Sequence, residues 1–433
     1  MTAVMEKCKQ LKRQGASRRE TILELAKSFE WIYAPALYAF DYHDSGTIRS
    51  VHPSDKCPAD FQPLLRILPC QCADFENALV PEKPLVPHTE TVHDRIGIEI
   101  MRGCPNRCRF CHAGYTKHPL RWRSIERIEE IAEKTWQHTG YDEIGLLSLS
   151  SANYPRLSDL TRRLNERFRD RRVNLSIPSL RVDKMLSEIP EMVSSVRKSG
   201  LTIAVEAAGD DLRRALRKKV LDVDLLEGVQ QAYAAGWNSV KLYFMAGFPG
   251  EQRQDLEGIF DLSKEVSMAK KGIRGGPASV TASVGWLVPK PHTPLQWSAQ
   301  AELGYFLDTR DLLKDIAKQR KSAVRISTHN PRRSILEGVI ARGDRRLGRA
   351  IEAAYRFGAR MDSWDEAFDY QRWIKAFDKT GIDPAFYAHR TRQIDEILPW
   401  DHIHNGPPRE QLEKEYNDFL ARIERRTPPS NGE

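Results

Sequence analysis

The sequence predicts an α/β fold: a partial (β/α)6 TIM-like barrel, preceded by an extended N-terminal segment and followed by a mainly helical C-terminal domain. Three observations carry this. From about residue 93, short apolar runs alternate with longer amphipathic ones. The short runs are apolar nearly throughout, as parallel strands covered on both faces are. Beyond about residue 300 the chain turns charged, aromatic and helix-patterned.

Residues 1–30 are expected to hold an N-terminal helix. There Ser17 with Glu20 reads as a capping box, and Ile22, Leu23, Leu25 and Ala26 supply an apolar side. Residues 31–90, rich in Pro, Asp and His, read as an extended wrapping segment with a hairpin or two. Residues 91–300 form the barrel. Its strands are expected at Ile96–Met101, Ile144–Leu149, Leu175–Leu180, Ile203–Ala207, Val240–Ala246 and Val280–Val288. Helices are expected near 125–138, 157–169, 183–198, 211–235 and 253–270. Strands separated by helices are parallel with right-handed crossovers, and such barrels place chemistry at the C-terminal ends of their strands. Residues 301–425 form the helical domain, with Tyr355, Phe357, Trp364, Phe368, Tyr370, Trp373 and Phe377 as its core. The tail, 426–433, has the composition of a disordered segment.

No apolar run is long enough to span a bilayer, and the basic first residues are not followed by the apolar core of a secretory signal. A cytoplasmic protein is expected. Lys plus Arg is 67 against 59 for Asp plus Glu, a net charge of +8. That excess describes either a solvated basic surface or an RNA partner. Arginines do gather at Arg162, Arg163, Arg167, Arg169, Arg171 and Arg172, but acidic residues are interleaved and no RNA-binding motif accompanies them.

The seven cysteines are an odd number, and three of them, Cys104, Cys108 and Cys111, lie within eight residues. That is the pattern of metal ligands in a reducing compartment rather than of a disulfide framework. The C-x3-C-x2-C loop follows the first barrel strand directly, so it sits on the catalytic face. Three thiolates on one loop can hold three irons of a [4Fe–4S] cubane. Most such clusters use four cysteines, so one iron is left open to a substrate. The competing reading is a structural zinc site with His112 or His118 as fourth ligand, but no second cysteine pair stands at suitable spacing. Cys57, Cys70 and Cys72 are spaced C-x12-C-x-C, a spacing that assigns no cluster and leaves a metal or redox role open against free thiols.

The loop resembles that of the radical S-adenosylmethionine (SAM) superfamily. From Ser17 to about Phe419 the chain is similar to an uncharacterised family within it, usually preceded by a cobalamin-binding-like domain. The resembling pieces run in order. They include Val92-His93-Asp94-Arg95, Arg121-Trp122-Arg123-Ser124, Leu147-Ser148-Leu149-Ser150-Ser151, Pro178-Ser179-Leu180-Arg181-Val182-Asp183 and Val205-Glu206-Ala207-Ala208-Gly209. After these come Leu242 to Pro249, Pro289-Lys290-Pro291-His292-Thr293-Pro294, Ala341 to Arg346 and Leu398 to His402. The run from Pro289 to Pro294 is similar to the loop closing the barrel in methylthiotransferases.

The resemblance implies a [4Fe–4S] cluster on Cys104, Cys108 and Cys111 and SAM on its open iron. It also implies reductive cleavage of SAM to a 5′-deoxyadenosyl radical, a reductant such as a flavodoxin or ferredoxin, and a substrate that it does not name. Phe110 is expected beside the cluster and adenine. Ser148 and Ser150 would contact the SAM amino group and Arg181 a carboxylate. Glu206 would accept from ribose hydroxyls or the amino group, and Gly247 would admit the adenine. His292 and Thr293 complete the expected cofactor-binding set, and no catalytic residue is assigned. Cobalamin is not expected to bind this chain alone. Its role is absent, supplied by a separate cobalamin-binding partner, or lost with a shortened start. Asp41-Tyr42-His43-Asp44-Ser45-Gly46 spells a cobalamin motif but reads as a turn. Two alternatives stay open: a methylthiotransferase- or methyltransferase-like enzyme acting on RNA or the ribosome, and a non-catalytic Fe–S or zinc-binding scaffold.

Overall fold

In the computed structural model, the described residues are 1–89, 91, 93–176, 201–320 and 322–426. The expected third-strand end, the helix near 183–198, Arg181 and the tail from 427 lie outside them.

Two helices open the chain where one was expected: α1 (Thr2–Arg13) and α2 (Arg18–Ser28). Gly15, at φ 78°, turns the chain between them. The Ser17–Glu20 capping box is present in both directions. Two strands, β1 (Tyr38–Tyr42) and β2 (Ile48–Pro53), form an antiparallel hairpin. Its turn is the Asp41–Gly46 stretch, closed by Gly46 N–H donating to the His43 carbonyl at 2.8 Å.

The barrel wall comes in two parallel sheets. One holds β3 (Ile96–Glu99), β6 (Glu143–Leu147) and β7 (Asn174–Ser176). The other holds β8 (Leu201–Glu206), β9 (Ser239–Ala246), β10 (Ser279–Trp286) and β11 (Val324–Thr328). Between β3 and β6, the two-residue strands β4 (Met101–Arg102) and β5 (Arg121–Trp122) pair antiparallel and clamp the base of the cysteine loop. Within each sheet, each parallel strand neighbours the next in sequence, as helical crossovers dictate. A short α3 (His112–Thr116) follows the cysteine loop, and the crossovers include α4 (Ile125–Thr139), α5 (Leu157–Phe168), α7 (Asp222–Ala234) and α8 (Arg253–Met268), with a short α6 (Asp210–Ala215) after β8. One core joins the helix-facing strand residues Ile98, Leu146, Ile203, Leu242 and Val280 to Leu160, Val229, Ile259 and Phe260.

The expected helical domain begins too early at residue 301. Helix α9 (Leu303–Gln319) and strand β11 make a further α/β unit, and β11 pairs in parallel with β10. Val324 and Ile326 alternate with exposed Arg325 and Ser327, so the run lacks the continuous apolarity of the other strands. Helices α10 (Pro331–Arg342), α11 (Leu347–Arg356), α12 (Tyr370–Thr380) and α13 (Arg409–Glu424) follow. The buried Arg342 guanidinium joins this part to the barrel-closing loop, donating to the carbonyls of Ser298 (2.7 Å), Tyr387 (2.9 Å) and Gln296 (3.3 Å). The N-terminal segment wraps the barrel: Phe75 lies under the Arg102 and Arg123 guanidinium groups, at 4.9 and 4.5 Å. Among the described residues no helix is long and apolar enough to cross a membrane.

His402 is buried beside Tyr33, Tyr38 and Phe40, with ring centroids 4.7–6.1 Å apart, and among the described residues neither ring nitrogen has a hydrogen-bond partner. Burial pushes its pKa down to about 4, and Arg345 adds to the shift. The folded chain thus binds fewer protons at this ring than the unfolded chain does. Stability is complete above the ordinary histidine range and is lost as pH falls from about 6.5 toward 4. Between about pH 7.5 and about pH 5 this should cost on the order of 2 kcal/mol. Thermal melts of wild type and His402→Phe should show the flatter pH dependence in the variant; parallel curves would exclude this account.

Candidate functional site

The cysteine loop leaves β4 through Gly103, at φ 101°, where a Cβ would lie 2.5 Å from the Lys117 carbonyl oxygen. Only glycine fits that turn. The Cys111 N–H donates to the Cys108 carbonyl (2.9 Å), and the Tyr115 hydroxyl donates to the Arg107 carbonyl (3.0 Å). The largest constraint is Arg109, whose side chain is 3% exposed. Its backbone N–H donates to the Leu216 carbonyl at 3.0 Å. Its guanidinium donates to the Ala215 carbonyl (2.6 Å) and to Glu415 (3.0 Å) and pairs with Asp418; both acids are on α13. Glu415 also pairs with Arg217. The loop is thereby tied to the turn after β8 and to the C-terminal helix.

The three thiols lie close together. Burial pushes the Cys108 thiol up to about 11, with smaller upward contributions from Cys111, Cys104 and Glu206, while Lys218 opposes them. Burial also raises Cys111. Such thiols stay protonated until a metal displaces the proton. No three described His, Cys, Asp or Glu side chains gather as ligands of a single ion. A cubane does not require that, because each thiolate takes its own iron. An all-thiol donor set on one loop, with nearby Lys218 to offset negative charge, fits such a cluster.

The other expected residues divide into two groups. Phe110 and Glu206 lie at the mouth and line one cavity of about 370 Å³ together with Tyr243, Met245, Trp286, Lys290 and His329. Phe110 meets Phe248 edge-on at 6.2 Å. Glu206 sits at φ 76°, where β8 bulges against β9. Burial raises its pKa, and Lys218 at 3.6 Å opposes the rise. Ser150 Oγ donates to Asn153 Oδ1 (2.7 Å), which also accepts from Asn106 Nδ2 (3.2 Å). Asn106 Nδ2 lies 3.4 Å from Cys104 Sγ. The end of β6 is thus wired to the cysteine loop. Ser148 Oγ meets Ser151 Oγ at 3.0 Å and accepts the Ser150 N–H at 3.2 Å. His292, at φ 56°, faces His112 at 6.3 Å, and burial pushes its pKa down to about 4.

Two residues are engaged by local structure. Gly247, at φ 93°, has Phe306 where a Cβ would go, at 2.7 Å. Thr293 is fully buried and donates to the Lys290 carbonyl at 2.8 Å. Arg181 lies outside the described residues. Sequence reasoning missed Lys218, Asn153 and Glu251. Glu251 accepts from Tyr305 Oη and Gly247 N–H, both at 2.6 Å, and burial raises its pKa to about 7. Asn106 stands inside the cysteine motif and could have drawn attention. Lys218 lies in a turn without periodicity and carries no local signal.

Residues 98–263 match the family model for the radical SAM superfamily. The matched span holds the cysteine loop and strands β4 to β9 described above. Among curated relatives, the uncharacterised protein MJ0966 of Methanocaldococcus jannaschii is 31% identical over 59% of this chain and 53% of its own length. The ribosomal protein uS12 methylthiotransferase RimO of Francisella tularensis subsp. novicida is 22% identical over 52% of this chain and 55% of its own. The chain spans about half the length of these relatives. Among solved structures, the radical SAM methyltransferase TsrM from Kitasatospora setae, with cobalamin and a [4Fe–4S] cluster bound, overlaps 46% of this chain and 38% of its own. The TM-score is 0.39 and the identity 14%.

Removing Arg109 leaves Glu415 with Arg217 alone and half-exposed Asp418 with Arg422, so the cost falls below the about 3–5 kcal/mol of a buried pair broken on one side. Arg109→Met should lower the melting temperature and reduce iron incorporated on reconstitution. Wild-type iron content in a destabilised variant would show that the loop holds its shape without this tie.

Proposed function

We propose that this chain is a radical SAM enzyme that cleaves SAM reductively at an open [4Fe–4S] cluster and uses the resulting 5′-deoxyadenosyl radical on a substrate bound in the barrel. The carrying observation is the three-thiol loop after the first barrel strand, fixed by Arg109 and lying against Glu206. Cys104, Cys108 and Cys111 would hold three irons. When bound, the cluster supplies one electron to the SAM sulfonium, and the carbon–sulfur bond breaks to methionine and the radical.

The protein supplies position and shielding. Phe110 presents an aromatic wall on the cluster side of the cavity. Glu206, held at the bulge, offers an acceptor to the amino or ribose hydroxyl groups of SAM. Lys218, 3.6 Å away, opposes the rise that burial gives this carboxyl. Ser150, through Asn153 and Asn106, orders the loop from the opposite sheet. Burial lowers the pKa of both His292 and its neighbour His112, which favours the neutral imidazole at each. The reductant, a flavodoxin or ferredoxin, remains part of the proposal, as does a cytoplasmic setting.

A second reading is sulfur or methyl transfer to a ribosomal target, supported by the 22% identity to RimO over 52% of this chain. The arginine cluster adds nothing to it. Arg163 pairs with Glu126 and Glu129, Arg167 and Arg171 with Glu133, and Arg162 with Asp159 and Glu166.

Anaerobic reconstitution with iron and sulfide, then SAM and a strong reductant, should yield 5′-deoxyadenosine in wild type. Cys108→Ala should lose both the cluster absorbance and the product. A formed cubane without 5′-deoxyadenosine would refute the catalytic reading.

A further inference from the structure

Strand register arranges the lumen of the β8–β11 sheet in rows. Thr202 pairs with Lys241, Lys241 with Thr281, and Thr281 with Arg325. One row thus crosses four strands, and all four side chains are polar. The row above is Ala204, Tyr243, Ser283 and Ser327.

These residues face the lumen because their neighbours do not. Ile203, Val240, Leu242, Val280, Ala282 and Val324 belong to the core under the helices, and strand side chains alternate. Lys241 Nζ lies over the Tyr243 ring at 4.8 Å, which puts both on one face, and Tyr243 lines the cavity at the mouth. TIM-like barrels ordinarily fill such layers with bulky apolar side chains. Here the layer holds two cations and two hydroxyls. Among the described residues, no carboxylate pairs with Lys241 or Arg325. Ala204, Arg325 and Ser327 are exposed, so the lumen is open to a ligand.

We propose that Lys241, Thr281 and Arg325 form the anchor for an oxyanion group, a carboxylate or phosphate, at the far end of the substrate. Lys241 and Arg325 stand on strands separated by one other, roughly 10 Å apart at the backbone. Two long cationic side chains can close on one oxyanion from either side, with the Thr281 hydroxyl between them. From Arg325 to His329 at the mouth is four residues, roughly 13 Å along the strand. The substrate is therefore an elongated anion, with its reacting carbon near Phe110 and its charge deep in the lumen. This rests on reading the mouth as the radical site.

Equilibrium dialysis with pyrophosphate and, separately, glutarate tests the anchor on the full, cluster-reconstituted chain with SAM present and no reductant. Wild type should bind at least one probe saturably, and the better probe identifies the oxyanion. Lys241→Met with Arg325→Met should weaken that binding at least tenfold, and each single variant several-fold. Lys241→Arg should retain it, and Arg162→Gln, on the surface, should leave it unchanged. Absence of saturable binding to wild type, undiminished binding to the double variant, or equal loss in Arg162→Gln would overturn the proposal. Substrate-free 5′-deoxyadenosine formation separates the two readings. Wild type and Arg162→Gln should release it at the same rate. Failure of both proteins to release it would count against the radical chemistry and leave the dialysis result standing on its own.

Discussion

A single buried guanidinium organises the site. Arg109 lies between two of the cysteines, and its side chain is 3% exposed. A charge so placed is tolerated only when it is fully partnered. Its partners come from far away in the chain: the Ala215 carbonyl after β8, and Glu415 and Asp418 on α13. Satisfying this group therefore requires the cysteine loop, the second sheet and the C-terminal helix to be in place together. The loop's three thiols inherit their arrangement from that requirement. The Leu398, Leu412, Tyr416 and Phe419 side chains pack the same helix against Phe248, Leu287 and Trp297, so apolar burial and the ion pairs favour one docking.

Backbone strain marks the same place. Glu206, Gly247 and His292 follow or end successive strands of the second sheet, and all three have positive φ, as do Arg107 and Arg217 beside them. A non-glycine residue in that region costs on the order of 1 kcal/mol and persists where surrounding contacts over-determine it. At Glu206 the over-determination is visible: a bulge, a lysine 3.6 Å away and burial that holds the carboxyl in a low-polarity setting. Gly247 serves a different purpose, clearing space for Phe306 while its N–H holds Glu251.

Charge is distributed with a similar division of labour. The chain carries +8 overall, yet the densest arginine group, on α5 and just beyond, is paired with acids of α4 and α5. Exposed pairs of this kind contribute little stability individually, but at Arg162, Arg163, Arg167 and Arg171, four of the six, they offset a surface that the sequence alone makes look cationic. The lumen row reverses this. Lys241 and Arg325 have no such partners among the described residues, and they lie where a ligand rather than a helix is the neighbour.

By itself, the sequence determined what depends on short-range pattern. Hydrophobic alternation placed six strands to within a few residues in their described parts, because a strand buried on both faces writes a continuous apolar run. The capping box at Ser17 and Glu20 was legible because its hydrogen bonds span three residues. The thiol loop was legible because Cys104, Cys108 and Cys111 are close in sequence. Strand β11 was not, since its lumen face carries Arg325 and Ser327 and breaks the apolar run. Helix α1 was not legible either, since its mostly charged and polar residues bury only Leu11. Tertiary structure alone decided that Arg109 meets Glu415, that Lys218 faces Glu206 and Cys108, and that Lys241 and Arg325 share a row. Each of these rests on register or on contacts across many tens to hundreds of residues, which local pattern does not encode.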